Sequence, residues 1–117
     1  MSNSTSKPYV YVLVRGDLSP EQTIVQASHA ALEAGFMFNK PAEVSSVIIC
    51  KVSDRTALEE ASARLESHGI DHHLFFEPDF EMGFSALATR PLLTKAERYK
   101  FKKYPLFSTS KEHAMPA

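Results

Sequence analysis

Residues 9–14, Tyr-Val-Tyr-Val-Leu-Val, are apolar, aromatic or β-branched at every position. An unbroken run of this kind suits a strand buried on both faces, at the centre of a sheet covered by helices. Arg15, Gly16 and Asp17 end it. Ser19-Pro20-Glu21-Gln22 then reads as a helix start, with Ser19 as N-cap, Pro20 at the first helical position and Gln22 where a capping box needs its acceptor. Helical spacing predicts that Ile24, Val25, Ser28, Leu32 and Phe36 form the inward stripe, with Gln22, Gln26, His29 and Glu33 on the adjoining edge. Gly35 is the expected terminator, and residues 36–43, with Pro41, read as a loop.

The pattern then repeats. Residues 47–52 predict a second buried strand, and Asp54 caps a helix that carries Leu58, Ala61 and Leu65 and closes at Gly69. Residues 70–77 are strand-like, 78–83 a turn and 84–89 a further strand. Thr94 caps a last short helix of mixed basic and aromatic character. The expected order is β-α-β-α-β-β-α, an α/β fold in one domain over residues 9–107. Two strand–helix–strand units followed by a hairpin imply a four-stranded mixed sheet with helices on both faces. Residues 1–8 read as a disordered leader and 108–117 as a flexible tail.

Composition narrows the function classes. The 117 residues are 44% hydrophobic and 23% charged, ordinary for a globular chain that folds around one core. A single cysteine, Cys50, rules out an intramolecular disulfide framework and any cysteine-based zinc cluster. The apolar runs are too short to span a bilayer, and none resembles a signal peptide's, so a cytoplasmic protein without membrane contact is expected. The formal net charge is −1, so attraction for nucleic acid has to come from a local patch.

In open α/β sheets, ligands favour the crevice beyond the carboxyl ends of the strands. The first strand ends at Arg15 and Asp17: either Arg15 binds phosphate with Asp17 holding its fork, or the two form a structural ion pair. His29, one turn from Gln26, is either a general base that orients a water or a half-buried histidine satisfied locally. Glu77, Asp79 and Glu81 form an acidic turn that activates a water only if it folds over the first strand's end. Adjacent strand residues point to opposite faces, so His72 and His73 do not share a metal, and no metal or cofactor is expected. His113 falls in the expected tail. Ser28 and Cys50 sit in no nucleophile signature and read as packing residues. Lys95, Arg98, Lys100, Lys102 and Lys103, interleaved with Tyr99, Phe101, Tyr104 and Phe107, read either as a phosphate-tracking stripe or as a helix docking its aromatics while the lysines reach outward.

The segment from Val12 through Arg15-Gly16-Asp17-Leu18, followed by Ile24-Val25-Gln26-Ala27-Ser28-His29-Ala30-Ala31, resembles the opening of the second-type (archaeal and eukaryotic-type) peptidyl-tRNA hydrolases. In that family an apolar strand ends in Arg-x-Asp-Leu, and a helix with Ala-Gln-Cys-Ser-His-Ala-Ala follows. Leu87-Ala88-Thr89-Arg90-Pro91, after Gly83, resembles the family's closing strand. The resemblance covers residues 9–91 and implies hydrolysis of the ester between a peptide and its tRNA. It implies catalytic roles for His29, which polarises water, for Asp17, which orients its surroundings, and for Asp79, which, or else Glu77, stands in place of an aspartate of the family's Asp-Ala-Gly-Arg-Thr-Gln segment. Substrate contacts then fall to Arg15 and Gln26, joined by Lys100, Lys102 and Lys103 of the basic stripe that lies beyond the resemblance. The implied partner is tRNA or peptidyl-tRNA, with a possible homodimer. Two departures stand out: Ser19-Pro20-Glu21-Gln22 replaces a Gly-Lys-Gly-Lys segment, and the acidic residues 77–82 replace Asp-Ala-Gly-Arg-Thr-Gln. A catalytically diverged relative that binds RNA or protein is the alternative expectation.

Overall fold

A computed structural model of the protein describes residues 7–108. The expected leader and tail lie outside the described residues apart from Lys7, Pro8 and Ser108. Pro8 is buried, and its carbonyl accepts from the Ser46 amide at 2.9 Å, so the domain takes hold one residue before the first strand.

The elements follow the expected order: β1 (Tyr9–Arg15), α1 (Pro20–Met37), β2 (Ser46–Val52), α2 (Arg55–Ser67), β3 (His72–Glu77), a short 3-10 turn (Asp79–Glu81), β4 (Gly83–Thr89) and α3 (Lys95–Tyr99). The sheet order is β2-β1-β4-β3, with β1 parallel to β2 and antiparallel to β4, and β3 antiparallel to β4. The caps form where the sequence places them. Ser19 Oγ accepts from the Gln22 amide, Asp54 from Ala57 and Thr94 from Glu97. Gly69, at φ 74°, terminates α2 in the left-handed conformation that glycine adopts without a Cβ penalty. Gly35 does not terminate α1. The helix runs on to Met37, and the Phe38 amide closes it on the Ala34 carbonyl.

Side chains divide into two layers. On one face of the sheet, Leu13, Leu58, Leu65, Leu87 and Phe101 form a core of large residues beneath α2 and the C-terminal segment, where Phe101 stacks on Tyr11 at 4.2 Å. On the other, Ala27, Ala30 and Ala34 of α1 meet Val12, Val14, Ala86 and Ala88.

This second layer corrects the sequence reading of α1. Ile24, Val25, Leu32 and Phe36 are exposed, and Ser28 with them, while Thr23, Gln26, Ala27, Ala30 and Ala34 face the sheet. The alanines of the helix lie on the alanines of β4, so the backbones approach closely and leave no room for the larger side chains. The stripe chosen by hydrophobicity is therefore the outer one. β2 differs from expectation in the same way: it is an edge strand, and Val47 and Ile49 stay exposed on the α1 face.

Candidate functional site

At the end of β1, Arg15 Nε and Nη2 donate to the two carboxylate oxygens of Asp17, each at 3.0 Å. Nη1 donates to the carbonyls of Met82 (2.8 Å) and Phe84 (3.1 Å). Four of the five N–H groups of a guanidinium are thus occupied within the chain. Hydrogen bonding from Arg15 holds the Asp17 carboxyl below its ordinary range. The structural alternative for this pair is what the geometry displays: Arg15 ties the start of β4 to the end of β1. The turn it braces contains Phe80 and Glu81, at φ 61° and 53°, a left-handed pair that costs of the order of 1–2 kcal/mol per residue. Gly83 follows at φ 72°, with the Arg55 guanidinium against the position a Cβ would take.

A second polar group lies under α1. Gln26 is buried, and its Nε2 donates to Glu77 Oε1 (2.9 Å) and to Gln22 Oε1 (3.1 Å). Its Oε1 accepts from Ser85 Oγ at 2.6 Å. The β3–β4 register shifts between Phe75 and Phe76, where Phe75 pairs with Ala86 but Phe76 pairs with Phe84. Ser85 is the extra residue, and the bulge turns it toward α1. Glu77 Oε2 accepts from the Asp79 amide at 3.2 Å. The Gln26 hydrogen bond, then that amide, hold the Glu77 carboxyl below its usual value, and the charge of His29 adds to them. His29 itself is exposed, its imidazole lying on the Phe75 ring with centroids 4.8 Å apart and planes 6° from parallel.

Shared roles in one reaction, as the resemblance implies, would bring Arg15, Asp17, His29 and Asp79 together in one polar cleft. The structure presents two groups instead. Alternation along β1 puts Arg15 on the side of Tyr11 and Leu13, whereas His29 and Phe75 belong to the α1 side. Asp79 is exposed and joins the second group through its backbone amide. The carboxylate that meets Gln26 is Glu77, and the serine is Ser85. Glu77 stands out in sequence as one member of an acidic turn and, with Asp79, as a replacement for the family's aspartate. Ser85 has no sequence signal, because its direction depends on the bulge.

The basic segment lies on the opposite layer from His29, since Phe101 is part of the α2 core. Arg64 Nη1 donates to the Lys100 carbonyl at 2.8 Å and to the Tyr104 hydroxyl at 3.2 Å. The Lys102 ammonium sits 5.7 Å from the centre of the exposed Tyr99 ring, and that of Lys103 5.8 Å from Tyr104. The geometry is that of the docking reading: Phe101 is the docking side chain, and Lys102 and Lys103 with Tyr99 point outward.

The remaining candidates are engaged locally. His72 Nε2 meets Ser62 Oγ at 2.6 Å on the α2 side, while His73 tilts against Phe75 on the other. Ser28 Oγ donates to the Ile24 carbonyl, and burial pushes the Cys50 thiol up. Among the described residues, no group of three or more His, Cys, Asp or Glu side chains is placed to hold a metal ion, and no helix is long and apolar enough to cross a membrane. No protein-family model matches the chain, and no curated protein does.

Proposed function

We propose that this protein is a hydrolase of the second peptidyl-tRNA hydrolase type, cleaving the ester between a peptide and its tRNA. The observation that carries the reading is the exposed His29 imidazole, held on the Phe75 ring, with a Glu77 carboxylate that Gln26 fixes in place and that a positive charge on His29 favours in its ionised form. A neutral imidazole takes a proton from water as the water oxygen bonds to the ester carbonyl carbon. Glu77 steadies the resulting imidazolium. The carbon–oxygen bond to the ribose then breaks, and the proton passes to the departing ribose oxygen. Gln26 is a positioning residue in this scheme, and Arg15 and Asp17 hold the turn that borders the site. Asp79, exposed at the same turn, faces the incoming substrate. Neither a metal nor a cofactor is needed.

The test is turnover of purified peptidyl-tRNA. Hydrolysis that falls by about 10²–10⁴ in His29→Ala, with the fold intact by circular dichroism, supports the assignment. Wild-type protein that leaves the ester untouched at stoichiometric concentration overturns it.

A second reading, an RNA-binding module without turnover, draws on charge placement. Residues 90–107 hold six basic side chains against one acidic, Glu97, whereas Asp17, Glu21, Glu77, Asp79 and Glu81 crowd the sequence around the proposed centre. With the Arg15 fork occupied and no lysine in residues 19–22, phosphate contacts in this reading fall to Lys100, Lys102 and Lys103, with Tyr99 offered to a base. Salt-dependent RNA binding without ester loss would favour it.

A further inference from the structure

We propose that Ser62 and His72 form a nucleophilic pair that cleaves small esters of amino acids, at a site apart from His29. The inference is independent of the peptidyl-tRNA hydrolase reading.

The protons of the pair are placed by its partners. His72 Nδ1 lies 2.9 Å from the Ile70 carbonyl, which can only accept, so Nδ1 carries the hydrogen. In the neutral ring Nε2 then holds a lone pair, and it faces Ser62 Oγ at 2.6 Å. The serine donates along this bond. Other helix hydroxyls behave differently: Thr23, Ser28 and Ser67 donate to the carbonyls of Pro20, Ile24 and Arg64, one turn back. Ser62 has a base in place of that internal acceptor. A hydroxyl bonded to an imidazole whose far nitrogen is fixed by a third group is the arrangement that activates a serine.

The pair sits at the rim of the fold. β3 is the outer strand of the sheet, and His72, its first residue, is half-buried. Ser62, on α2, keeps 8% exposure. His72 lines a cavity of about 330 Å³, a size that takes a small molecule. Glu66, one turn on from Ser62, and Asp71 bring carboxylates to its wall, and Met37 and Phe38 bring an apolar side. The ion pairs of the described residues use Asp17, Glu59 and Glu97, which leaves these two carboxylates to a ligand. Among the described residues, no Lys or Arg lines this cavity. Lys40 and Arg90 line its neighbour, which shares Met37, Phe38 and Asp71. Two carboxylates and an apolar wall beside a nucleophile suit an ester that carries an ammonium group and a side chain. An amino-acid ester has both.

In the reaction, Ser62 Oγ bonds to the ester carbonyl carbon as its proton passes to His72 Nε2. The carbon–oxygen bond to the alcohol breaks, and Nε2 gives the proton to the departing oxygen. Water then enters. His72 takes its proton, its oxygen bonds to the acyl carbon, and Ser62 Oγ leaves with that proton. The products are the free amino acid and the alcohol.

The probe is the diphenyl ester of an α-aminoalkylphosphonate, on which a serine nucleophile forms a stable Oγ–phosphorus bond as phenol departs. Mass spectrometry of the full chain should find one adduct, mapped to Ser62. Labelling should slow by about 10²-fold or more in His72→Gln and by roughly two- to fivefold in Glu66→Gln. Glu66 is exposed, so its replacement leaves the fold intact, and circular dichroism checks the His72 variant. Wild-type protein without an adduct overturns the inference. So does an adduct on any other residue, or a rate unchanged in either folded variant.

Discussion

Ser85 donates its hydroxyl proton to Oε1 of Gln26 at 2.6 Å, across 59 residues of sequence. That bond decides which way the buried amide faces and so directs Nε2 toward Glu77. Ser85→Ala should leave Oε1 buried without its donor and destabilise the fold by about 1–3 kcal/mol. Urea denaturation measures the change; a variant as stable as wild type would show that the bond does not hold the amide.

Arg15 fastens a strained turn, and its two kinds of partner should separate in mutants. Arg15→Ala removes bonds to two carbonyls and a carboxylate and should cost about 2–3 kcal/mol. Asp17→Asn touches only the more exposed arm of the cluster and should cost less than about 1 kcal/mol. Equal losses in chemical denaturation would contradict a brace built chiefly on Met82 and Phe84.

The pH dependence has a definite sign. Hydrogen bonding from Arg15 lowers the Asp17 carboxyl from its ordinary 3.8, and hydrogen bonding from Arg90 lowers Glu97 from 4.5. In the interval between those ordinary values and the lower native ones, the unfolded chain binds more protons, so stability rises with pH. The contribution is complete above the unfolded values and disappears as pH falls through the native ones. Stability measured against pH should fall on that acid limb, and the slope should be shallower in Asp17→Asn and Glu97→Gln. Carboxyl titration by NMR should find both groups below their ordinary values.

Reversing Lys102 and Lys103 to glutamate should weaken RNA binding. Loss of two phosphate contacts should flatten the slope of log affinity against log salt by about two. Binding assays at several salt concentrations check this, and an unchanged slope would remove the basic segment from the interface.

The alanine contact between α1 and β4 is tight enough to test by enlargement. Ala30→Leu should cost about 1–3 kcal/mol through overpacking against Ala86 and Ala88. A neutral effect in thermal or chemical denaturation would mean that the helix can lift from the sheet.

Local chemistry in the sequence was enough to specify the elements and their order. Ser19, Asp54 and Thr94 cap helices because their side-chain oxygens meet free amides within three residues, a relationship independent of the rest of the fold. Residues 9–14 likewise announce a central strand. Arg15 and Asp17 are close enough in sequence for their pairing to be legible as one of two alternatives.

Tertiary structure decided which side of α1 faces inward. Periodicity finds an apolar stripe but carries no information about the partner surface, and the alanines of β4 admit alanines rather than leucine and phenylalanine. It also separated Arg15 from His29, because strand alternation becomes a three-dimensional statement only when the sheet has an inside and an outside. The meeting of Gln26, Glu77 and Ser85 needed a one-residue bulge between two distant strands, and such long-range register depends on how the sheet closes over its core.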